Sequence, residues 1–119
     1  MKQEEILQLI PKSEKYIEYI LELLIKIPRT EKFSIGTDYK NSMYRMLENI
    51  LYLNKFKKLE YFNKIDVELN LQRIYLRILK KNKWIDIKKF NVSMDKIMEI
   101  GKILGGLIKY YGKNNKEFV

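Results

Sequence analysis

LEYFNKIDVELNLQRIYLRILKK, residues 59–81, runs without glycine or proline, and its apolar spacing decides the fold. At about 100° per residue, Phe62, Ile65, Leu69, Leu76 and Leu79 fall in one sector of a helix. Val67, Leu71, Ile74, Tyr75 and Ile78 fall in another. The polar remainder, Asn63, Asp66, Asn70, Arg73, Arg77, Lys80 and Lys81, forms a single strip. A helix in a small monomeric bundle needs one buried face, so a second apolar row predicts burial against another subunit.

Working outward, the same periodicity predicts three more helices and no strand. Upstream, Ile17, Ile20, Leu21, Leu24 and Ile27 recur at helical intervals, with Ser13 as the expected N-cap and Pro28 as the stop. A second helix is expected from Ser34 to Phe56, buried through Tyr39, Met43, Met46, Leu47, Ile50 and Leu53, with Gly36 a mild weakness in its first turn. Downstream, the linker Asn82 to Asp86 holds the only tryptophan, Trp84, and Asp86 can cap a fourth helix from Ile87 to Tyr111. Short connections between four helices imply an all-α, antiparallel up-down four-helix bundle over residues 13–111. Residues 1–12 are expected to be an arm or an extra helical turn, and residues 112–119 a polar, frayed tail.

The fourth helix repeats the double patterning. Phe90, Met94, Ile97, Gly101, Leu104 and Ile108 mark one side, and Ile100, Ile103, Leu107 and Tyr111 another. Its three internal glycines, Gly101, Gly105 and Gly106, each cost up to about 1 kcal/mol relative to alanine. Gly101 and Gly105 lie one turn apart, where a neighbouring helix can approach backbone to backbone, and Gly106 points toward Lys102 and Lys109. These glycines, with Ile74, Ile78 and Leu107, are the expected packing and oligomer residues.

Composition removes several functions. The 119-residue chain has no cysteine and no histidine, which excludes cysteine–histidine and serine–histidine nucleophilic catalysis, thiolate or imidazole zinc sites and disulfide scaffolds. No apolar run is long enough for a secretory signal or a membrane span, so a cytoplasmic protein without membrane partners is expected. The acids after Leu71 are Asp86, Asp95, Glu99 and Glu117. Asp95 and Glu99 stand one turn apart, a pairing too common on helices to argue for a metal, so neither an enzyme nor a cofactor is expected.

Charge carries the positive signal. The chain holds 24 basic and 15 acidic residues, a net charge of +9. Gln72 to Val119 contributes twelve Lys/Arg against four Asp/Glu, whereas Met1 to Leu71 contributes twelve against eleven. Such a one-sided excess is the footprint of a phosphate-backbone binder. Codon drift toward lysine competes as an explanation, but it does not account for the loss of acids after Leu71. Arg73, Arg77, Lys80 and Lys81 line one solvent-facing strip and are the leading candidates. Arg73 and Arg77 are two of only four arginines, which points to a planar fork being wanted there. Pairing of Arg73 with Asp66 or Glu68 is the competing structural reading. Lys83, Lys88, Lys102 and Lys109 form a second tier. Trp84, Tyr110 and Tyr111 offer rings for base stacking, against the competing reading that they pack in the core or an interface.

Three segments resemble a known family. EIGKILGGLIK (Glu99 to Lys109), IPRTEKFSIG (Ile27 to Gly36) and DVELNLQRIYLR (Asp66 to Arg77) are similar, in order and spacing, to the accessory variability determinant (Avd) proteins of diversity-generating retroelements and their bacterial four-helix relatives. Where relatives usually carry tryptophan after the Gly-Gly pair, this chain has Leu107. The resemblance implies a barrel-like homopentamer, basic outside, that partners a reverse transcriptase and its template RNA while the polymerase makes error-prone cDNA. The accessory protein itself does no chemistry. A stand-alone four-helix nucleic-acid scaffold, like the proteins of ribosomal RNA intervening sequences, is the alternative, and a protein-binding helical adaptor is a third reading.

Overall fold

The computed structural model describes residues 2–114, with side chains described from Ile6 to Lys113. Four long helices and one short turn of helix make up the described residues: α1 (Lys2–Ile25), α2 (Arg29–Lys32), α3 (Ile35–Phe56), α4 (Leu59–Lys81) and α5 (Ile87–Asn114). The long helices close a square in which α1 packs on α3 and α5, and α4 packs on α3 and α5. Contacts between opposite ends fix the directions. Tyr52 of α3 stacks on Tyr61 of α4, and Lys80 of α4 meets Phe90 of α5. Lys12 and Lys96 show that α1 and α5 are also antiparallel, since they meet Glu99 and Tyr19 respectively. The result is an up-down-up-down bundle 48 Å long.

The first helix begins earlier than the sequence suggests. Ser13 is not an N-cap: α1 runs from Lys2 through Pro11, and Ser13 is buried within it. Ile6 and Leu9 are fully buried and extend the stripe of Ser13, Tyr16, Ile20 and Leu23 by two turns. Burying each such side chain is worth about 1.5–3 kcal/mol, enough to offset roughly 3 kcal/mol for a proline inside a helix. At the other end, Gly112 and Lys113 continue α5 to Asn114, and the rest of the expected tail lies outside the described residues.

Gly36 is a packing requirement rather than a weakness. The turn of α2 folds back so closely on α3 that a Cβ at Gly36 would stand 3.3 Å from the Glu31 carbonyl oxygen and 3.6 Å from Ile27 Cδ1. Thr37 Oγ1 donates to the Lys32 carbonyl at 3.1 Å and fastens the same turn.

The core lies inside the square, and the helix-four pattern is resolved there. Ile97, Ile100, Leu104, Leu107 and Tyr111 are all buried in the protomer, so the two expected faces of this helix are the flanks of one broad arc touching α1 and α4. Leu107 is therefore a core residue of its own protomer and not a contact for a second copy. The second row of α4 behaves differently. Val67, Ile74 and Ile78 remain 63%, 44% and 38% exposed.

A polar layer crosses this core. The Tyr16 and Tyr39 hydroxyls are 2.7 Å apart and completely buried. Burial pushes both phenols well above the usual tyrosine range, and the charge of Arg73 opposes the shift at Tyr16. Nearby, Gln72 Nε2 donates to Ser42 Oγ at 3.1 Å, and Ser42 donates to Glu68 Oε1 at 2.8 Å. Arg45 completes the chain, giving Glu68 two hydrogen bonds of 2.8 and 3.1 Å.

Removing one hydroxyl strands the other, so Tyr39→Phe is expected to cost about 1–3 kcal/mol in urea denaturation. The Tyr16→Phe/Tyr39→Phe double variant should cost less than the sum of the singles. The raised phenol pKa values keep the folded protein protonated where the unfolded chain ionises. The contribution of this pair to stability is therefore level below about pH 10 and falls above it, and the double variant should show a smaller alkaline fall.

Candidate nucleic-acid interface

The cations of the second half are brought to neighbouring places because α4 and α5 lie side by side. Arg77, Lys80 and Lys81 are exposed on α4, Lys83 on the connection, and Lys88, Lys102 and Lys109 on α5. The ion pairs among the described residues, Lys12 with Glu99 and Arg45 with Glu68, involve none of these seven. Lys12 also holds the Glu99 carboxyl below the usual carboxylate range. Helical phase sets Lys102 and Lys109 on the outward face of α5, with Asp95 between Lys88 and Lys102 on the same line.

Two of the leading candidates have structural work as well. Arg73 is only half-exposed and leans across the groove onto α5. Its Nη1 donates to Asn70 Oδ1 at 2.6 Å, and its Nη2 lies 3.1 Å from where a Cβ on Gly101 would be. Gly101 thus admits a guanidinium, not the neighbouring helix backbone that the glycine spacing suggested. Neither Asp66 nor Glu68 pairs with Arg73. Lys80 places its ammonium 4.5 Å from the centre of the Phe90 ring, a cation–π contact across the α4–α5 groove. Within the protomer nothing lies within 4 Å of a Cβ built on Gly105 or Gly106.

The connection after α4 is set by the backbone. Lys83 N–H donates to the Lys80 carbonyl at 2.9 Å and Trp84 N–H to the Leu79 carbonyl at 3.0 Å. This is the Schellman closure of a helix, with Lys83 at φ 61° in the left-handed position that glycine usually takes. Asp86 caps α5, accepting the Lys89 N–H at 2.8 Å, as its place in the sequence predicts. The closure turns Trp84 and Ile85 inward and opens a cleft of about 530 Å³ at this end of the bundle. Leu23, Lys26, Lys80, Lys83, Trp84, Ile85, Asp86, Ile87 and Lys89 line it.

Lys26 and Lys89 were not among the candidates read from sequence. Lys26 belongs to the charge-balanced first half, so counting by halves hides it. The signal was topological, because an up-down bundle sets the end of α1 beside the start of α5. Trp84 is half-buried in the cleft wall, and Tyr111 is buried against the core. Tyr110 is partly exposed and meets Tyr111 edge-on at 5.3 Å. No described helix is long and apolar enough to cross a membrane.

A protein family described as bAvd-like matches residues 6–111 of the chain. The match runs from Ile6 on α1 to Tyr111 on α5, so it takes in all four long helices. No curated protein matches.

Because open space surrounds the missing Cβ positions, Gly105→Ala and Gly106→Ala should each raise the urea-denaturation stability of the protomer by up to about 1 kcal/mol. Gly101→Ala should fall short of that gain, since its methyl displaces the Arg73 guanidinium.

Proposed function

The chain belongs to the bAvd-like family, and on that premise we propose that it is a non-catalytic nucleic-acid-binding accessory protein. Its partners in this reading are a reverse transcriptase and template RNA of a diversity-generating retroelement. The observation that carries the reading is the set of exposed cations on α4, the following connection and α5, with no ion pair to any described acid. A cation held by its own protein's carboxylate has little to offer a phosphate. An unpaired one displaces the counterions condensed around a phosphate backbone, and their release gives sequence-independent affinity. A polymerase partner that already carries RNA can share such a surface, because phosphate contacts position a strand without reading its bases.

The proposed assembly is a homopentamer. Val67, Ile74 and Ile78 support a subunit contact, since they form an apolar row on α4 that the protomer leaves exposed. Gly105 and Gly106 support one on α5, because they leave backbone open where alanine would fold more readily. Ring closure would multiply the basic surface and let one RNA contact several protomers, so that weak contacts add as avidity.

Arg77→Ala/Lys81→Ala/Lys102→Ala/Lys109→Ala tests the surface while sparing Arg73 and Lys80, which also pack α4 against α5. It should lose RNA binding at low salt in a gel-shift assay, with helical circular dichroism and assembly mass unchanged. Retained binding overturns the assignment of this face. Light scattering should give about five times the 14.5 kDa protomer mass, and a mass near one protomer rules out the ring.

A further inference from the structure

The cleft at the turn between α4 and α5 has features that a general phosphate-binding surface does not need. Four lysines converge on it from three parts of the chain: Lys26 after α1, Lys80 and Lys83 around the end of α4, and Lys89 in the first turn of α5. The one carboxylate in its lining, Asp86, already accepts a hydrogen bond from the backbone of Lys89. None of the four ammonium groups is in an ion pair among the described residues. The rest of the lining, Leu23, Trp84, Ile85 and Ile87, is apolar. Beyond Leu23, Lys26 and Lys89 the surface continues into a smaller depression with Tyr19 and Glu22.

Lys83 carries the second observation. Its backbone sits in the left-handed region, where a lysine is strained and glycine is not. Lys57, at the end of α3, is the other such residue. There the side chain has a structural task, because Nζ donates to the Asn54 carbonyl at 2.7 Å. The Lys83 ammonium has no such partner among the described residues, and it stands in the lining of the cleft. The backbone of Lys83 closes α4, and its side chain, with no partner among the described residues, is left to line the cleft.

We propose that this cleft is a site for an unpaired nucleotide of a single-stranded nucleic acid, with the base against Trp84 and its flanking phosphates on Lys26, Lys83 and Lys89. The inference rests on the nucleic-acid reading above and narrows it to a ligand state and a place. Phosphates alone would need only the cations. An indole in the same lining adds a stacking surface that a base can use only when it is out of a duplex. The cleft volume of about 530 Å³ lies within the roughly 300–1,000 Å³ of small-molecule sites. A duplex, with its bases stacked inside and phosphates on a convex surface, has no matching part.

Trp84 is the only tryptophan, so its fluorescence reports on this site alone. Wild-type protein is titrated with a fluorescein-labelled uridine hexanucleotide, with an RNA duplex of equal length and with inorganic polyphosphate, reading label anisotropy and tryptophan emission where each applies. The hexanucleotide should quench Trp84 saturably, in step with anisotropy, and the duplex and polyphosphate should not. Trp84→Leu should weaken hexanucleotide binding roughly 5- to 150-fold, the range that loss of one base–aromatic stack spans. Lys83→Gly should weaken it too while the urea midpoint holds or rises, because glycine relaxes the backbone. If the hexanucleotide binds without quenching and both variants bind as wild type, nucleic-acid binding stands but the cleft is not its site. Equal quenching by polyphosphate overturns the stacking role. If no RNA of either form binds, the underlying nucleic-acid reading fails.

Discussion

The packing of α4 against α5 is the contact on which the rest of the molecule depends. Each helix must bury an arc wide enough to meet two neighbours, and the up-down order places the last two helices side by side. Twelve of the chain's basic residues and only four of its acids lie from Gln72 onward. Side-by-side packing therefore gathers the excess on adjoining surfaces instead of spreading it among the acids of α1 and α3. The seam is itself made with cations. Arg73 lies over Gly101, and Lys80 lies over the Phe90 ring. Two positive side chains thus bind the helices together, while Arg77, Lys81, Lys102 and Lys109 are left to solvent.

The polar layer through the core gives the bundle its register. Apolar side chains of similar size tolerate sliding, whereas the Tyr16–Tyr39 pair and the Gln72–Ser42–Glu68–Arg45 chain join particular turns of particular helices. A slip by one turn would leave the buried Tyr16, Tyr39, Ser42 and Gln72 without these partners, at a cost of about 1–3 kcal/mol for each group. Register matters for the surface because the cleft at the α4–α5 turn takes its cations from three parts of the chain. Lys26, Lys83 and Lys89 meet only if α1, α4 and α5 end at the same level.

Much of this was legible in the sequence, and the exceptions have physical causes. The helices α3 and α4 follow from uninterrupted apolar stripes, and their ends were placed to within a residue. The start of α1 was misread because Pro11 looks like a boundary, when the burial of Ile6 and Leu9 carries the helix past it. On α5 a helical wheel divides one arc into two faces, because a wheel gives angles without saying how many neighbours share them; hence Leu107, expected as a packing and oligomer residue, packs inside its own protomer. Gly36 and Gly101 show a related limit. Local propensity registers only the cost of a glycine; the close approach at Gly36 comes from the folded-back turn of Ile27 to Lys32, and that at Gly101 from Arg73 on another helix. The basic strip was visible as composition, but the half-buried position of Arg73 and the contribution of Lys26 depend on tertiary placement.

The central claim is that cations left unpaired by the fold bind phosphates, and the dependence of RNA affinity on salt tests it most directly. Fluorescence anisotropy with a labelled single-stranded RNA between about 50 and 200 mM salt should give a straight line of log affinity against log salt. With four or more phosphate contacts per strand, its slope should be about −3 or steeper. An affinity that stays level across that range would contradict the account, because a contact indifferent to salt does not come from these lysines and arginines.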